Sequence, residues 1–496
     1  MDLTQLALSL KYFIPEMVLT GFIAIAIIYD LFLKPETSHR IGFMAIVGLL
    51  VTLGMLYLQQ GIPATGIFAN MFALDGFATF FKWVVAIGAA LAIWMSLDTN
   101  ELANRRVGEY HILILILVLG MFLLVSATHI ISIYLALEMV SIMSYLLAGY
   151  LKENSRSNEA SIKYVIYGAF SSGIMLYGLS LLYGLTGTGY ISEIQTQLAA
   201  GQVSPVMLIL VAVLLLAGFG YKISAVPFHF WTPDVYEGAP TPITAFLSVA
   251  PKAAGFAVLI RFFNIAFSQG DPNTPSWLAL PGLDWPMIIA VLSAITMTVG
   301  NVLAIQQNNV KRLLAYSSIA HAGYMLMGVV VADQTGIAAI LYYAAVYMLM
   351  NLGAFFVAIQ IKNIYNTETI ADYAGLGFKA PWIGMSMAVF MFALTGLPPT
   401  AGFVAKFYLF RALVQFGDGF LWLAMFGLIN GVVSLFYYMR ILKAMYFDKM
   451  EIPEKLTVVP VHFNVLMFIL VVPLLVGWMF GDPLSTWAAE AVQFFF

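Results

Sequence analysis

Residues 380–416 read APWIGMSMAVFMFALTGLPPTAGFVAKFYLFRALVQF. The stretch is apolar over 37 residues, nearly twice the ~20 that one helix needs to cross a ~30 Å hydrocarbon core. It must therefore be interrupted, and Gly396-Leu397-Pro398-Pro399-Thr400-Ala401-Gly402 marks the place. Proline removes a backbone donor and clashes with the preceding turn, which frees carbonyls. Irregular backbone at membrane depth is tolerated only inside protein or beside a polar cavity. Lys406 follows the break. A charge in hydrocarbon costs roughly 2.5 to 3.5 kcal/mol on insertion scales. This one stretch predicts a helical membrane protein with a working polar interior.

The rest of the chain agrees. Its 496 residues are 62% hydrophobic and 9% charged, against about 25% charged in soluble domains. A net charge of −3 and the lack of any basic tract argue against nucleic acid as a partner. There is no cysteine. That excludes cysteine-bound iron–sulfur clusters, thiolate zinc, Cys-x-x-Cys-His haem attachment and disulfides within this chain. Met1 to Glu16 lacks the basic region and cleavage site of a signal peptide, so the first apolar run is expected to be a retained span.

Fourteen spans are expected, at 12–32, 40–59, 75–97, 109–127, 129–151, 160–186, 205–228, 241–266, 286–306, 311–331, 335–361, 380–416, 419–447 and 461–481. Loops after odd-numbered spans hold Lys34, Arg40, Arg105, Arg106, Lys152, Arg156, Lys311, Arg312, Lys362, Lys379, Arg440, Lys443, Lys449 and Lys455, whereas the other side holds little beyond Lys11 and Arg411. By the positive-inside rule the odd-numbered loops are cytoplasmic and both termini lie outside. Lys82 and Arg261 fall near outer span ends, where snorkelling is the ordinary expectation.

Span seven is expected to break like span twelve. It contains Ala217-Gly218-Phe219-Gly220, then Lys222, then Pro227. Spans five apart enter from opposite sides, so paired breaks suggest inverted repeats made of spans 4–8 and 9–13. Under that alignment Lys222 matches Lys406, and Glu138 matches His321.

Six ionisable residues in apolar runs are the candidate site. Glu138 lies about nine residues into span five, roughly 14 Å deep, as the only carboxylate at that depth. Lys222 is expected to gain and lose Glu138 as a partner, which would change its proton affinity. Lys252, roughly 16 Å into span eight just after Pro251, which is expected to distort the helix, and Lys406 have no acid in their own spans and suit proton carriers. His321 sits mid-span and can relay a proton through either nitrogen. Lys163 is only a few residues into span six and is open to snorkelling. For Glu138 and Lys222 the plainer role is a static salt bridge; for His321 it is a hydrogen-bonded core residue. The aromatic, polar loop Phe228 to Pro240 suits a turn cap or a gate. No phosphate loop, dinucleotide fingerprint, zinc motif or Ser-His-Asp set is present.

Lys222-Ile223-Ser224-Ala225-Val226-Pro227-Phe228-His229-Phe230-Trp231-Thr232-Pro233-Asp234-Val235-Tyr236-Glu237-Gly238-Ala239-Pro240 resembles the signature of the antiporter-like subunits of respiratory complex I. Gly396 to Lys406 is similar to their broken span twelve, and Lys311 to His321 to their span ten. The likeness covers nearly the whole chain. It is strongest to the subunit N (subunit 2) branch, because Lys406 is a lysine where the subunit M branch has a glutamate.

The resemblance implies an all-α polytopic membrane protein of about fourteen transmembrane helices, with two inverted five-helix repeats and broken helices 7 and 12. The divisions are 1–108, 109–270, 271–450 and 451–496. It implies a subunit of a redox-driven proton translocase in a bacterial cytoplasmic (inner) membrane. Glu138 and Lys222 would be the coupling pair, Lys252 the central relay and Lys406 the outward connection, with Lys163 and His321 as further family positions. It also implies no cofactor on this chain, and FMN, iron–sulfur clusters and quinone in partner subunits of the membrane arm and beyond. A multisubunit Na⁺/H⁺ antiporter, a ferredoxin- or hydrogenase-linked relative and a passive scaffold are the alternatives.

Overall fold

Small polar residues punctuate the apolar runs, and they start the helices. Asp75 accepts from the Ala78 amide at 2.7 Å, Asp284 from Met287 at 3.1 Å, Asn309 from Arg312 at 3.2 Å and Asp333 from Gly336 at 2.8 Å. Each satisfies an amide that the first turn leaves without a helical partner. The computed structural model describes residues 3–97, 99–103, 105–201, 203–270, 277–449 and 461–493. Lys455, assigned to a basic loop from sequence, lies outside them.

The helices used below are, in chain order, α1 Ile14–Phe32, α2 Arg40–Leu58, α3 Gly76–Ser96, α4 Gly108–Ser126, α5 Ile130–Ala148, α6 Ser155–Thr186 and α7 Pro205–Ile223. Then come α8 Trp231–Gly238, α9 Thr241–Leu247, α10 Ala250–Ala266, α11 Trp285–Ile305, α12 Val310–Val330 and α13 Gln334–Tyr365. The last are α14 Pro381–Thr395, α15 Ala401–Phe416, α16 Leu421–Phe447 and α17 Val461–Val476. Among the described residues, 12 helices are long and apolar enough to cross a membrane, and Pro381–Thr395 and Phe463–Val476 are shorter apolar helices. Two short antiparallel strand pairs, Thr65–Ile67 with Phe72–Leu74 and Ser268–Gly270 with Trp277–Ala279, close loops between helices.

The fold is multi-pass and helical, as expected, and the long twelfth run is two helices. The break that ends α14 is stabilised by Gly396 at φ +85, a left-handed conformation that glycine adopts without strain. A Cβ there would stand 2.7 Å from Lys406 Cδ, so the same glycine lets the lysine stem fold back against the break.

The seventh run differs from expectation. α7 passes through Gly218 and Gly220 without unwinding and ends at Ile223, one residue after Lys222. The glycines serve close packing instead: a Cβ on Gly218 would meet Met175 Sδ at 2.3 Å. The turn follows at Ser224, which has φ +62. The eighth run holds an interruption of its own. α9 and α10 are separated at Ser248 and Val249, and Lys252 falls in the first turn of α10.

α10, α12 and α13 form the centre of the bundle; α10 is buried along its whole length. α1, α2, α5, α6 and α16 carry many exposed apolar side chains, as expected of helices that face lipid or another subunit.

Candidate functional site

Lys222 reaches from the last turn of α7 to α5, where its Nζ donates to Ser141 Oγ at 3.1 Å. Ser141 is three residues beyond Glu138, on the same face of α5. The expected Glu138–Lys222 contact is therefore displaced by one turn: among the described residues no ion pair within 4.0 Å joins them, although the Glu138 charge acts on Lys222. Glu138 is partly buried, and its Oε1 has no hydrogen-bond partner. α10 comes close enough to shape this site, since a Cβ on Gly255 would stand 3.3 Å from Lys222 Cγ.

Lys252 is 1% exposed. Its Nζ donates to Ser318 Oγ at 2.9 Å and to Ser318 O at 3.2 Å, and stands 5.8 Å from the centre of the Tyr236 ring. Ser318 belongs to α12, three residues before His321, so both side chains share one helix face. His321 is buried between two phenols. Its Nδ1 lies 2.6 Å from Tyr343 Oη on α13 and its Nε2 3.1 Å from Tyr438 Oη on α16. The Tyr438 hydroxyl also bonds to Ser317, one turn before His321. The Tyr236 and Tyr347 side chains are buried in the same region, beside Ser318.

Lys406 Nζ donates to Thr395 O at 2.8 Å. That carbonyl ends α14 and is freed by the break, and the C-terminal end of a helix attracts a cation. The ammonium also sits 4.5 Å from the centre of the Tyr324 ring on α12, a cation–π contact. Thus α12 presents Ser318 to Lys252, His321 to the phenols and Tyr324 to Lys406. The structure gathers Lys252, His321 and Lys406 around one helix.

Lys163 stands apart from this group. It pairs with Asp234 Oδ2 at 2.6 Å and Glu159 Oε1 at 2.7 Å, and its side chain is 37% exposed. Arg312 reaches Asp234 Oδ1 at 2.7 Å and Glu237 Oε2 at 2.8 Å. The loop read as a turn cap or gate is largely the short helix α8, and these ion pairs hold it. Burial opposes ionisation of Asp234, but hydrogen bonds from Lys163 and Arg312 prevail and hold its carboxyl below the usual carboxylate range.

Lys82 and Arg261 do not snorkel. They are 4% and 1% exposed. Lys82 pairs with Glu16 Oε1 at 2.6 Å, and Arg261 makes two bonds to Asp75, at 2.7 and 2.9 Å. Both acids lie at helix starts, Glu16 in the first turn of α1 and Asp75 at the N-cap of α3, whereas Glu138 is in the middle of α5. What separates Lys222, Lys252 and Lys406 from Lys82 and Arg261 is the partner: hydroxyl and carbonyl oxygens rather than a carboxylate. Among the described residues no group of three or more His, Cys, Asp or Glu side chains could hold a metal ion.

Residues 127–434, which contain Glu138, Lys163, Lys222, Lys252, His321 and Lys406, match the family described as NADH:quinone oxidoreductase/Mrp antiporter, transmembrane. The chain belongs to that family. It is 46% identical, over 485 residues, to NADH-quinone oxidoreductase subunit N 2 of Chloroherpeton thalassium, covering 97% of this chain and 94% of that one. A chain of respiratory complex I from Thermus thermophilus, solved with bound aureothin, superposes with a TM-score of 0.78 at 30% identity, covering 96% of this chain and 99% of its own. A chain of the Mrp complex from Dietzia sp. gives 0.81 at 18% identity, covering 99% and 97%, a likeness of fold alone. Family membership adds the frame in which the buried lysines are read. It leaves the geometry around them as found: Ser141, Ser318, Tyr343, Tyr438, Tyr324 and the Thr395 carbonyl are the contacts that sequence reasoning missed.

Proposed function

We propose that this chain is a proton-translocating membrane-arm subunit of an NADH–quinone oxidoreductase, of the subunit N type. One observation carries the reading. Lys222, Lys252 and Lys406 are buried, each lies beside a helix interruption, and none has a carboxylate within 4.0 Å among the described residues. A lysine fixed by an acid keeps its proton; one held by neutral oxygens can take a proton and pass it on. Breaks beside such residues supply free carbonyls and room for rearrangement.

The order of events follows from the contacts. A rearrangement transmitted from neighbouring redox subunits moves Lys222 between Ser141 and Glu138. That step changes the charge balance near Lys252. Lys252, held by Ser318, passes its proton toward His321, whose two nitrogens face the hydroxyls of Tyr343 and Tyr438. Lys406 receives it and releases it outward. Internal water beside the buried Tyr236 and Tyr347 hydroxyls is a suitable bridge, because ordered water commonly bonds to buried polar groups of this kind. Lys163 acts by holding α8 rather than by carrying protons.

Within this reading the divisions at 1–108, 109–270, 271–450 and 451–496 correspond to three leading helices, two inverted five-helix repeats and a closing helix. Paired interruptions after Lys222 and before Lys406 support that symmetry. FMN, iron–sulfur clusters and quinone belong to partner subunits. The membrane is a bacterial inner membrane, with the termini outside, as the sorting of basic loops supports. The reading is tested by replacing Lys222 with Ala in the assembled complex; undiminished proton pumping contradicts it.

A further inference from the structure

Lys252 follows directly on the interruption at Ser248 and Val249, so its position depends on how α9 is held. Both ends of α9 are tied to the same helix, α13. At the Lys252 end, Asn351 Nδ2 of α13 donates to Ser248 Oγ at 2.5 Å. At the other end, Glu101 accepts from the Thr241 amide at 2.6 Å and from Thr241 Oγ1 at 2.9 Å, and Glu101 is ion-paired with Lys362 of α13.

The tie at Thr241 is part of a ring of charges. Lys362 also pairs with Glu368, whose Oε1 lies 3.6 Å from Lys311 Nζ. Lys311 Nζ in turn donates to Ala239 O at 2.8 Å. Two acids and two lysines thus grip the backbone on both sides of Pro240. The ring is sheltered: the side chains of Glu101 and Lys311 are 7% and 3% exposed. Desolvating four charges is costly, and ordinary helix capping does not require it.

We propose that Glu101, Lys362 and Asn351 form a two-ended clamp through which α13 sets the position of α9, and so of Lys252, in the proton path. None of the three touches Lys252; they are positioning residues. α13 also carries Tyr343, bonded to His321, and Tyr347, whose ring centre lies 4.9 Å from that of His321. A shift of α13 therefore moves the break beside Lys252 and the groups around His321 together. The proposal rests on the reading of Lys252 as a proton carrier.

The test uses the whole complex in native membrane vesicles, with wild type, Glu101→Gln and Glu101→Asp. Two quantities are read: amide hydrogen exchange across 241–250, and protons pumped per electron pair reaching quinone. Glu101→Gln is expected to speed exchange across 241–250 by about tenfold, the equivalent of about 1.4 kcal/mol, and to lower the proton ratio while electron transfer continues. Glu101→Asp, which keeps the carboxylate, is expected to recover part of both. Unchanged exchange or an unchanged proton ratio in Glu101→Gln overturns the clamp. Where Glu101→Gln fails to assemble, Asn351→Leu probes the other end by the same two readouts, and no change in either overturns it. The two ideas fail separately. Lys252→Ala with full pumping refutes the relay and leaves the exchange result intact; Glu101→Gln with unaltered exchange refutes the clamp and leaves the relay standing.

Discussion

Lys222 Nζ donates to Ser141 Oγ at 3.1 Å, one helical turn away from Glu138. The lysine is thus parked on a neutral oxygen with its acid within electrostatic reach. A hydrogen bond to a charged group contributes about 1.5–3 kcal/mol. Ser141→Ala is expected to remove that resting place and slow pumping several-fold, while Ser141→Thr, which keeps the hydroxyl, retains most of it. Proton uptake by vesicles at matched electron-transfer rates checks both.

Lys82 and Glu16 form a buried pair at 2.6 Å whose role is structural. Breaking a buried pair by removing one partner costs about 3–5 kcal/mol, whereas replacing both by apolar residues is often neutral. Lys82→Met alone is expected to reduce the amount of assembled complex sharply. Lys82→Met with Glu16→Leu restores it, with the proton ratio of wild type. Quantifying the assembled complex on native gels, with pumping per electron pair, decides.

Gly396 combines φ +85 with a lysine stem against its open side. A left-handed residue bearing a Cβ costs roughly 1–2 kcal/mol. Gly396→Ala is expected to lower thermal stability by about that amount and to push Lys406 off the Thr395 carbonyl, with loss of pumping. Gly54→Ala, where a Cβ meets nothing within 4 Å, leaves both unchanged or slightly improved. Thermal unfolding of the purified complex separates the two sites.

Acid should release the ring around Pro240 only at low pH. Burial raises the Glu368 carboxyl, yet Lys311, Lys362 and the Asn309 amide bring it down to about 2. Glu101 is also held below the usual value: burial opposes this, and the charges of Lys311 and Lys362 outweigh it. The folded values lie below the ~4.3 of an unfolded glutamate. The ring's contribution is therefore complete above about pH 5 and fades as pH falls from there toward 2. Amide exchange at 241–250 should be flat from pH 8 to about 5, after correction for intrinsic rates, and rise below about 4. An onset near neutrality contradicts the assignment.

The interruption at 396–402 was readable because Gly and Pro-Pro leave a helix no other choice. The one at Ser248 and Val249 was marked in part by Pro251, which signals irregular helix there; it lies in the first turn of α10, where proline is well tolerated, so the run restarts at that point rather than bending. Gly218 and Gly220 misled for the opposite reason: glycine also permits close packing within an intact helix. The acids opposite Lys82 and Arg261, Glu16 and Asp75, are remote in sequence, and no local pattern pairs them. Ser141, Ser318 and Tyr438 were hidden because hydroxyls are common on apolar helices and only three-dimensional packing selects them. The six candidate residues were legible because charge in an apolar run is rare; what each one touches was not.

The most direct measurement of the central claim is the number of protons pumped per electron pair by the assembled complex carrying Lys252→Met. Methionine retains the volume of the buried stem and removes only the ammonium on Ser318. The account predicts electron transfer to quinone with most of this subunit's share of pumping lost. A proton ratio equal to that of wild type, in a complex assembled to the same level, would contradict it.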